Sequence, residues 1–223
     1  MASTAMTPQG YTEKYARIVE LCAGKRVLHL GCVGFTDSPV GEKVRLAKES
    51  LHQRLTDCCD CTGIDLDRES VVQLQERGIF KNVLVANAEA LDELDADLPQ
   101  FDVAVAGDII EHLSNPGNML DGVKRRLKPD GLLLISTPNA FGLPGYLRFI
   151  AGRYREGLQH VLAFNPIVLR QLIDRHGYEI TQMWTCHQPA AIGRHGWLFK
   201  PGQIFFSCFS KFGGTLLVVA KIH

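Results

Sequence analysis

Residues 101 to 137 read FDVAVAGDIIEHLSNPGNMLDGVKRRLKPDGLLLIST. FDVAVAG (101 to 107) and GLLLIST (131 to 137) are short apolar runs, the pattern of strands buried on both faces. Between them Asn115-Pro116 opens a helix that carries Leu120, Val123 and Leu127 on one face. Strand, helix and strand in that order predict a βαβ unit with parallel strands.

The same alternation extends toward the N-terminus. RVLHLG (26 to 31), TGIDL (62 to 66) and NVLVAN (82 to 87) read as further strands. Val44, Ala47, Leu51 and Leu55 mark one intervening helix, and a second starts after Asp67 as N-cap, carries Val71 and Leu74, and stops at Gly78. Tyr11, Tyr15, Ile18 and Cys22 predict an N-terminal helix within residues 1 to 24. Toward the C-terminus, Asn165-Pro166 caps a helix through Leu169, Leu172 and Ile173 to Gly177. YEITQMW (178 to 184) and TLLVVAKI (215 to 222) then read as an antiparallel pair of strands. The expectation is one α/β domain over residues 1 to 223, a doubly wound and mostly parallel sheet with helices on both faces.

Residues 138 to 163 and 187 to 214 do not fit the alternation and are read as cover over a substrate site. The second holds Trp197, Phe199, Phe205, Phe206, Phe209 and Phe212. Packing of a short helix onto the sheet explains that aromatic set equally well, and a peripheral membrane contact is a third reading. Arg148, Arg153 and Arg155 are read as a solvated face, with an acidic substrate as the alternative.

Composition narrows the class. The 223 residues are 46% hydrophobic and 22% charged, enough to bury a core, and 24 basic residues balance 24 acidic ones. That balance leaves no electrostatic footprint for a phosphate backbone, so DNA is excluded as a partner and RNA is disfavoured. Seven cysteines are an odd number, and Cys58-Cys59-Asp60-Cys61 has no second ligand pair to complete a zinc site. With no signal-like N-terminus and no apolar run of membrane length, reduced thiols in the cytoplasm are expected.

In such a sheet, ligands bind beyond the carboxyl ends of the strands. There the sequence places a glycine turn, Leu30-Gly31-Cys32-Val33-Gly34, whose backbone can approach a ligand closely. Val33 and Thr36 stand where a dinucleotide fingerprint wants glycine, which disfavours a pyrophosphate. Asp65 ends the next strand, where a carboxylate can accept hydrogen bonds from both hydroxyls of an adenosine ribose. Asn87-Ala88-Glu89 can read an adenine edge, and Ala106-Gly107-Asp108 closes the row.

The order VLHLGCVG, GIDLD, VANAEALD, FDVAVAGDIIEHL, LKPDGLLLISTPN resembles the successive motifs of class I S-adenosylmethionine-dependent methyltransferases over residues 25 to 183. The resemblance implies a Rossmann-like, seven-stranded sheet in the order 3-2-1-4-5-7-6 with S-adenosylmethionine as cofactor. It also implies contacts from Gly31, Cys32, Asp65, Leu66, Ala88 and Gly107, to which position adds His29, Gly34, Asn87 and Glu89. His29 stands where the family usually has an acid, and Val33 where it often has glycine.

Asp108-Ile-Ile-Glu111-His112 places two carboxylates and an imidazole on one face of a helical turn. It resembles the E-x-x-E-H metal motif of the ubiquinone-biosynthesis O-methyltransferases and of the small-RNA 3′-terminal ribose 2′-O-methyltransferases, with Asp108 in place of the first Glu. His160, in QHVLAFNP, falls where the RNA enzymes place a metal-binding histidine. Asp108, Glu111, His112 and His160 are therefore candidate ligands of Mn²⁺, Fe²⁺ or Mg²⁺. Without a metal, His112 or His160 is the candidate general base, or Glu111 and His112 brace the loop. The expected function is O-methylation of a small-molecule hydroxyl. The alternatives are ribose 2′-O-methylation of an RNA 3′ end and a non-catalytic member that binds cofactor or a partner.

Overall fold

A short strand, β1 (Tyr11–Glu13), runs straight into helix α1 (Lys14–Cys22), and the chain then enters the sheet through β2 (Arg26–Leu30). Helices α2 (Val40–Glu49) and α3 (Leu51–Cys58) lead to β3 (Asp60–Asp65), and α4 (Arg68–Glu76) leads to β4 (Val83–Val85). Strand β5 (Phe101–Gly107), helix α5 (Pro116–Arg126) and β6 (Leu127–Pro138) form the central βαβ unit. Helices α6 (Leu143–Ile150) and α7 (Pro166–Arg175), strand β7 (Tyr178–His187), helix α8 (Lys200–Cys208) and strand β8 (Thr215–Ile222) follow. These elements are seen in a computed structural model that describes residues 7–34, 38–95, 97–153, 159–187 and 200–223. Thr36, Arg155, Trp197 and Phe199 lie outside the described residues.

The sheet has eight strands in the order β1-β7-β8-β6-β5-β2-β3-β4. Strand β8 is antiparallel to β6 and β7, and the other pairings are parallel. Without β1 this is the expected order, so the correction concerns number. The outer edge of β7 would leave backbone groups unpaired, and Tyr11–Glu13 covers it in parallel register with Thr185–His187. Tyr11 therefore belongs to a strand, not to the N-terminal helix.

Two boundaries also differ from expectation. The helix read through Val44 and Leu55 is two helices, because Ser50 is extended (φ −68°, ψ 162°) and caps α3 by accepting the Gln53 N–H at 3.2 Å. Leu127 starts β6 and does not end α5.

Alternation along the buried strands divides the core. Leu28, Leu30, Ala104, Ala106, Leu133 and Ile135 pack with Leu120 and Val123 of α5 and Leu169 and Ile173 of α7. Their neighbours Val27, Val103, Val105 and Leu134 pack with Ile18 of α1 and Leu55 of α3 on the opposite face. Helices thus cover both faces, and each fully buried Leu, Ile or Val contributes about 1.5–3 kcal/mol. None of the described helices is long and apolar enough to cross a membrane.

Candidate functional site

A cleft of about 880 Å³ opens at the carboxyl ends of the central strands, lined by Gly31 and Gly34 after β2, Asp65 and Leu66 after β3, and Asp108 after β5. Gly31 turns with φ +67°, and a Cβ there would lie 2.7 Å from Ile109 Cδ1. Only glycine fits this close approach of two strand ends.

Asp65 supports that turn from the adjacent strand. Its Oδ2 accepts the Val33 N–H at 2.8 Å and its Oδ1 accepts the Asp67 N–H at 3.0 Å. Burial pushes its carboxyl up from the usual range, against the pull of these backbone donors. Leu66 stands 70% exposed on the rim. Across the cleft, Asn87 Oδ1 accepts the Glu89 N–H at 2.9 Å, and the Glu89 carboxylate accepts the Asn115 N–H. Ala88 is buried between them.

Three residues of the expected cofactor set, His29, Cys32 and Gly107, lie outside the cleft lining. His29 is buried under the sheet, its Nδ1 3.3 Å from His52 Nδ1 on α3. Burial first, and then the neighbouring His52, hold it well below the usual histidine range. Cys32 and Val33 pack inward against Ala47, Val71 and Phe80. Burial pushes the Cys32 thiol well up.

The second half of the site is a single 3₁₀ turn, Ile110–His112, after β5. Glu111 is 1% exposed, accepts the Thr137 hydroxyl at 2.9 Å through Oε2, and leaves Oε1 without a hydrogen-bond partner. Burial and the nearby Asp108 raise its carboxyl to about 7. The Glu111 carbonyl accepts the N–H groups of Val161 and Leu162 at 2.9 and 3.1 Å, which docks the following segment onto the turn. This docking brings His160 Nε2 to 4.0 Å from Glu111 Oε1 and sets its ring edge-on to His112, centroids 4.7 Å apart. His112 Nδ1 meets the Gln159 carbonyl at 3.1 Å. Burial and His160 lower the His112 pKa.

Glu111, His112 and His160 each offer a ligand atom within 4.8 Å of the others, among the described residues. A buried carboxylate oxygen with no hydrogen-bond partner, facing two imidazoles, fits a divalent cation. Asp108 is not in this set. Its Oδ1 accepts the Ser136 hydroxyl at 2.8 Å and its Oδ2 pairs with Lys14 Nζ. Lys14 escaped the sequence reading, although it lies in phase with Ile18 and Cys22 on the buried face of α1. Of the two presumed cover segments, Gln159 alone lines the cleft among the described residues. Phe206 packs against Tyr11 of β1 at 5.4 Å, while Phe205 and Phe209, 5.0 Å apart, stay exposed.

Comparison with known proteins gives this geometry a context. A family model described as a methyltransferase domain matches residues 7–183. An S-adenosylmethionine-dependent methyltransferase of Mycolicibacterium smegmatis is 27% identical over 196 residues, 85% of this chain and 67% of that protein. A ubiquinone biosynthesis O-methyltransferase of Pseudomonas entomophila is 31% identical over 137 residues, 59% of this chain and 52% of the enzyme, so the match spans about half of that relative. A methyltransferase structure from Archaeoglobus fulgidus superposes with a TM-score of 0.58 at 18% identity, covering 93% of this chain and 92% of the other.

Proposed function

The chain belongs to the S-adenosylmethionine-dependent methyltransferase family, and from that premise we propose that it methylates a hydroxyl of a small-molecule acceptor with the help of a divalent cation. The observation that carries this reading is the convergence of Glu111, His112 and His160 on one point, with Glu111 Oε1 buried and unpartnered.

Bound S-adenosylmethionine supplies a methyl group on a sulfonium, which an oxygen nucleophile displaces in line. Toward that donor, each Asp65 oxygen spends one lone pair on the loop backbone and keeps another for a ribose hydroxyl. Leu66 and Ala88, which line the same cleft, would flank an adenine, and Asn87 and Glu89 would offer polar groups to its edge. The close turn at Gly31 lets main-chain atoms, and no side chain, face the donor.

A hydroxyl must also lose its proton. The Gln159 carbonyl can only accept, so His112 carries its proton on Nδ1 and presents the Nε2 lone pair. Glu111 and His160 complete a set of one carboxylate and two imidazoles, which suits Mn²⁺ or Fe²⁺ better than Mg²⁺. A cation held by Glu111, His112 and His160 would lower the pKa of a bound hydroxyl and orient it, so that the proton could pass to solvent water.

Calorimetric titration of S-adenosylmethionine, with and without chelator, tests this. Saturable binding is expected in both conditions, weakened about 10- to 100-fold in Asp65→Asn, since hydrogen bonds to a charged group contribute roughly 1.5–3 kcal/mol. Methyl transfer to phenolic acceptors should fall on chelation and in His160→Ala. No heat from the donor at millimolar concentration would sink the proposal, and chelator-resistant turnover would remove the cation from it.

A further inference from the structure

We propose that Lys14 sets the composition of the cation site: by pairing with Asp108 it withholds that carboxylate and leaves a three-ligand site of Glu111, His112 and His160. The proposal deepens the metal-assisted reading above and rests on it.

The spacing of Asp108 and Glu111 offers two carboxylates to one ion. The structure divides them. Asp108 is the sole non-glycine residue with positive φ among the described residues, at 51°. In that conformation its N–H donates to the Ser136 carbonyl at 2.9 Å and its Oδ1 accepts the Ser136 hydroxyl at 2.8 Å. Its Oδ2 meets Lys14 Nζ. Both oxygens thus have partners other than Glu111, His112 and His160, and Asp108 is not among the residues whose ligand atoms converge.

Lys14 has a strong physical reason to hold Asp108. It is the first residue of α1 and is 1% exposed, so its ammonium depends on the partly buried Asp108 carboxylate at the cleft. Burial opposes its charge, but Asp108 more than restores it. Its position is fixed from both sides, since Glu13 before it pairs with His187 in the sheet and Ile18 and Cys22 anchor the helix after it. Opening the pair would leave two charges uncompensated in or near the interior.

The consequence concerns metal choice. With Asp108 engaged, the site offers one carboxylate and two imidazoles, a donor set for borderline transition metals. Release of Asp108 would add a second carboxylate and with it affinity for harder, oxygen-seeking Mg²⁺. The N-terminal segment, far from the motif in sequence, would thereby select the ion.

The full chain, freed of metal, is titrated with Co²⁺, whose visible absorption reports nitrogen ligands and coordination number, and with Mg²⁺. Expected results are Co²⁺ binding by the parent protein, its loss in His160→Ala, and a Co²⁺ affinity changed less than tenfold in Asp108→Asn. Lys14→Met should tighten Co²⁺ at least tenfold, alter its spectrum and create measurable Mg²⁺ binding. Lys14→Arg, which keeps the pair, should behave as the parent. A tenfold loss of Co²⁺ affinity in Asp108→Asn overturns the proposal and stands even if Lys14→Met fails to fold. So does an unchanged spectrum and affinity in folded Lys14→Met. Absence of Co²⁺ binding by the parent protein overturns the metal-assisted reading together with this one, whereas the two preceding outcomes leave that reading intact.

Discussion

Gly31 and Ile109 meet where β2 and β5 end, and the contact leaves no room for a side chain: a Cβ would stand 2.7 Å from Ile109 Cδ1 at a φ of +67°. Gly31→Val should cost about 1–3 kcal/mol of stability through strain and overpacking. It should also weaken S-adenosylmethionine binding by more than the stability loss explains. Denaturant unfolding and calorimetry on the same variant check this, and parent-like donor affinity would remove the turn from the binding surface. Gly31 and Asp65 could be placed at the cleft from the sequence because they stand at the ends of recognisable strands. His29 was misplaced because a strand alternates. Its neighbours Leu28 and Leu30 face α5 and α7, and His29 faces α3 and meets His52. Lys14 was missed because a charged residue on an apolar helical face looks like a break in the pattern until its partner is known.

Among the elements, α7 shows how local chemistry starts a helix and how that start serves the site. Asn165 Oδ1 accepts the N–H groups of Ile167 and Val168 at 2.9 and 3.0 Å, and Pro166 occupies the first turn without needing a donor. Asn165→Ala should lower stability by about 1 kcal/mol, or roughly 2–4 °C in Tm for a chain of this size. A Tm unchanged within error would show that the cap contributes nothing. Just upstream, Phe164 bridges Asn139 and its carbonyl accepts the Ala140 N–H at 2.8 Å, so the stretch carrying His160 is held at both ends. Cap and proline were readable from the sequence. The break at Ser50 was not, because Ala47, Leu51 and Leu55 stay buried on both sides of it and the apolar period runs on.

Across the molecule, two buried groups pull stability in opposite directions as pH changes. Glu111 titrates near 7 in the fold against an ordinary 4.5, so its contribution is full below 4.5 and is lost as pH rises to 7. His52 is lowered by burial to about 4 from 6.5, so its contribution is full above 6.5 and is lost as pH falls toward 4. His29 adds to the second direction. In metal-free protein, Glu111→Gln should therefore steepen the acid loss of stability by about 2 kcal/mol between pH 6.5 and 4.5, at 1.36 kcal/mol per unit. Urea unfolding at a series of pH values checks this, and parallel curves for the variant and the parent would refute it.

Periodicity, strand ends and turn chemistry are local properties, so the chain order alone determined the doubly wound α/β class and the edge at which the cleft opens, while the order of seven strands followed from the family resemblance of its motifs. Contacts between segments far apart in the chain carry no local signature. Three features therefore waited for the tertiary structure: the pairing of Tyr11–Glu13 with the outer edge of β7, the docking of the Val161 and Leu162 N–H groups onto the Glu111 carbonyl, and the capture of Asp108 by Lys14. Each depends on a surface that exists only after the sheet has closed against its helices, when an unpaired edge or a buried charge must find whatever partner the fold brings within reach.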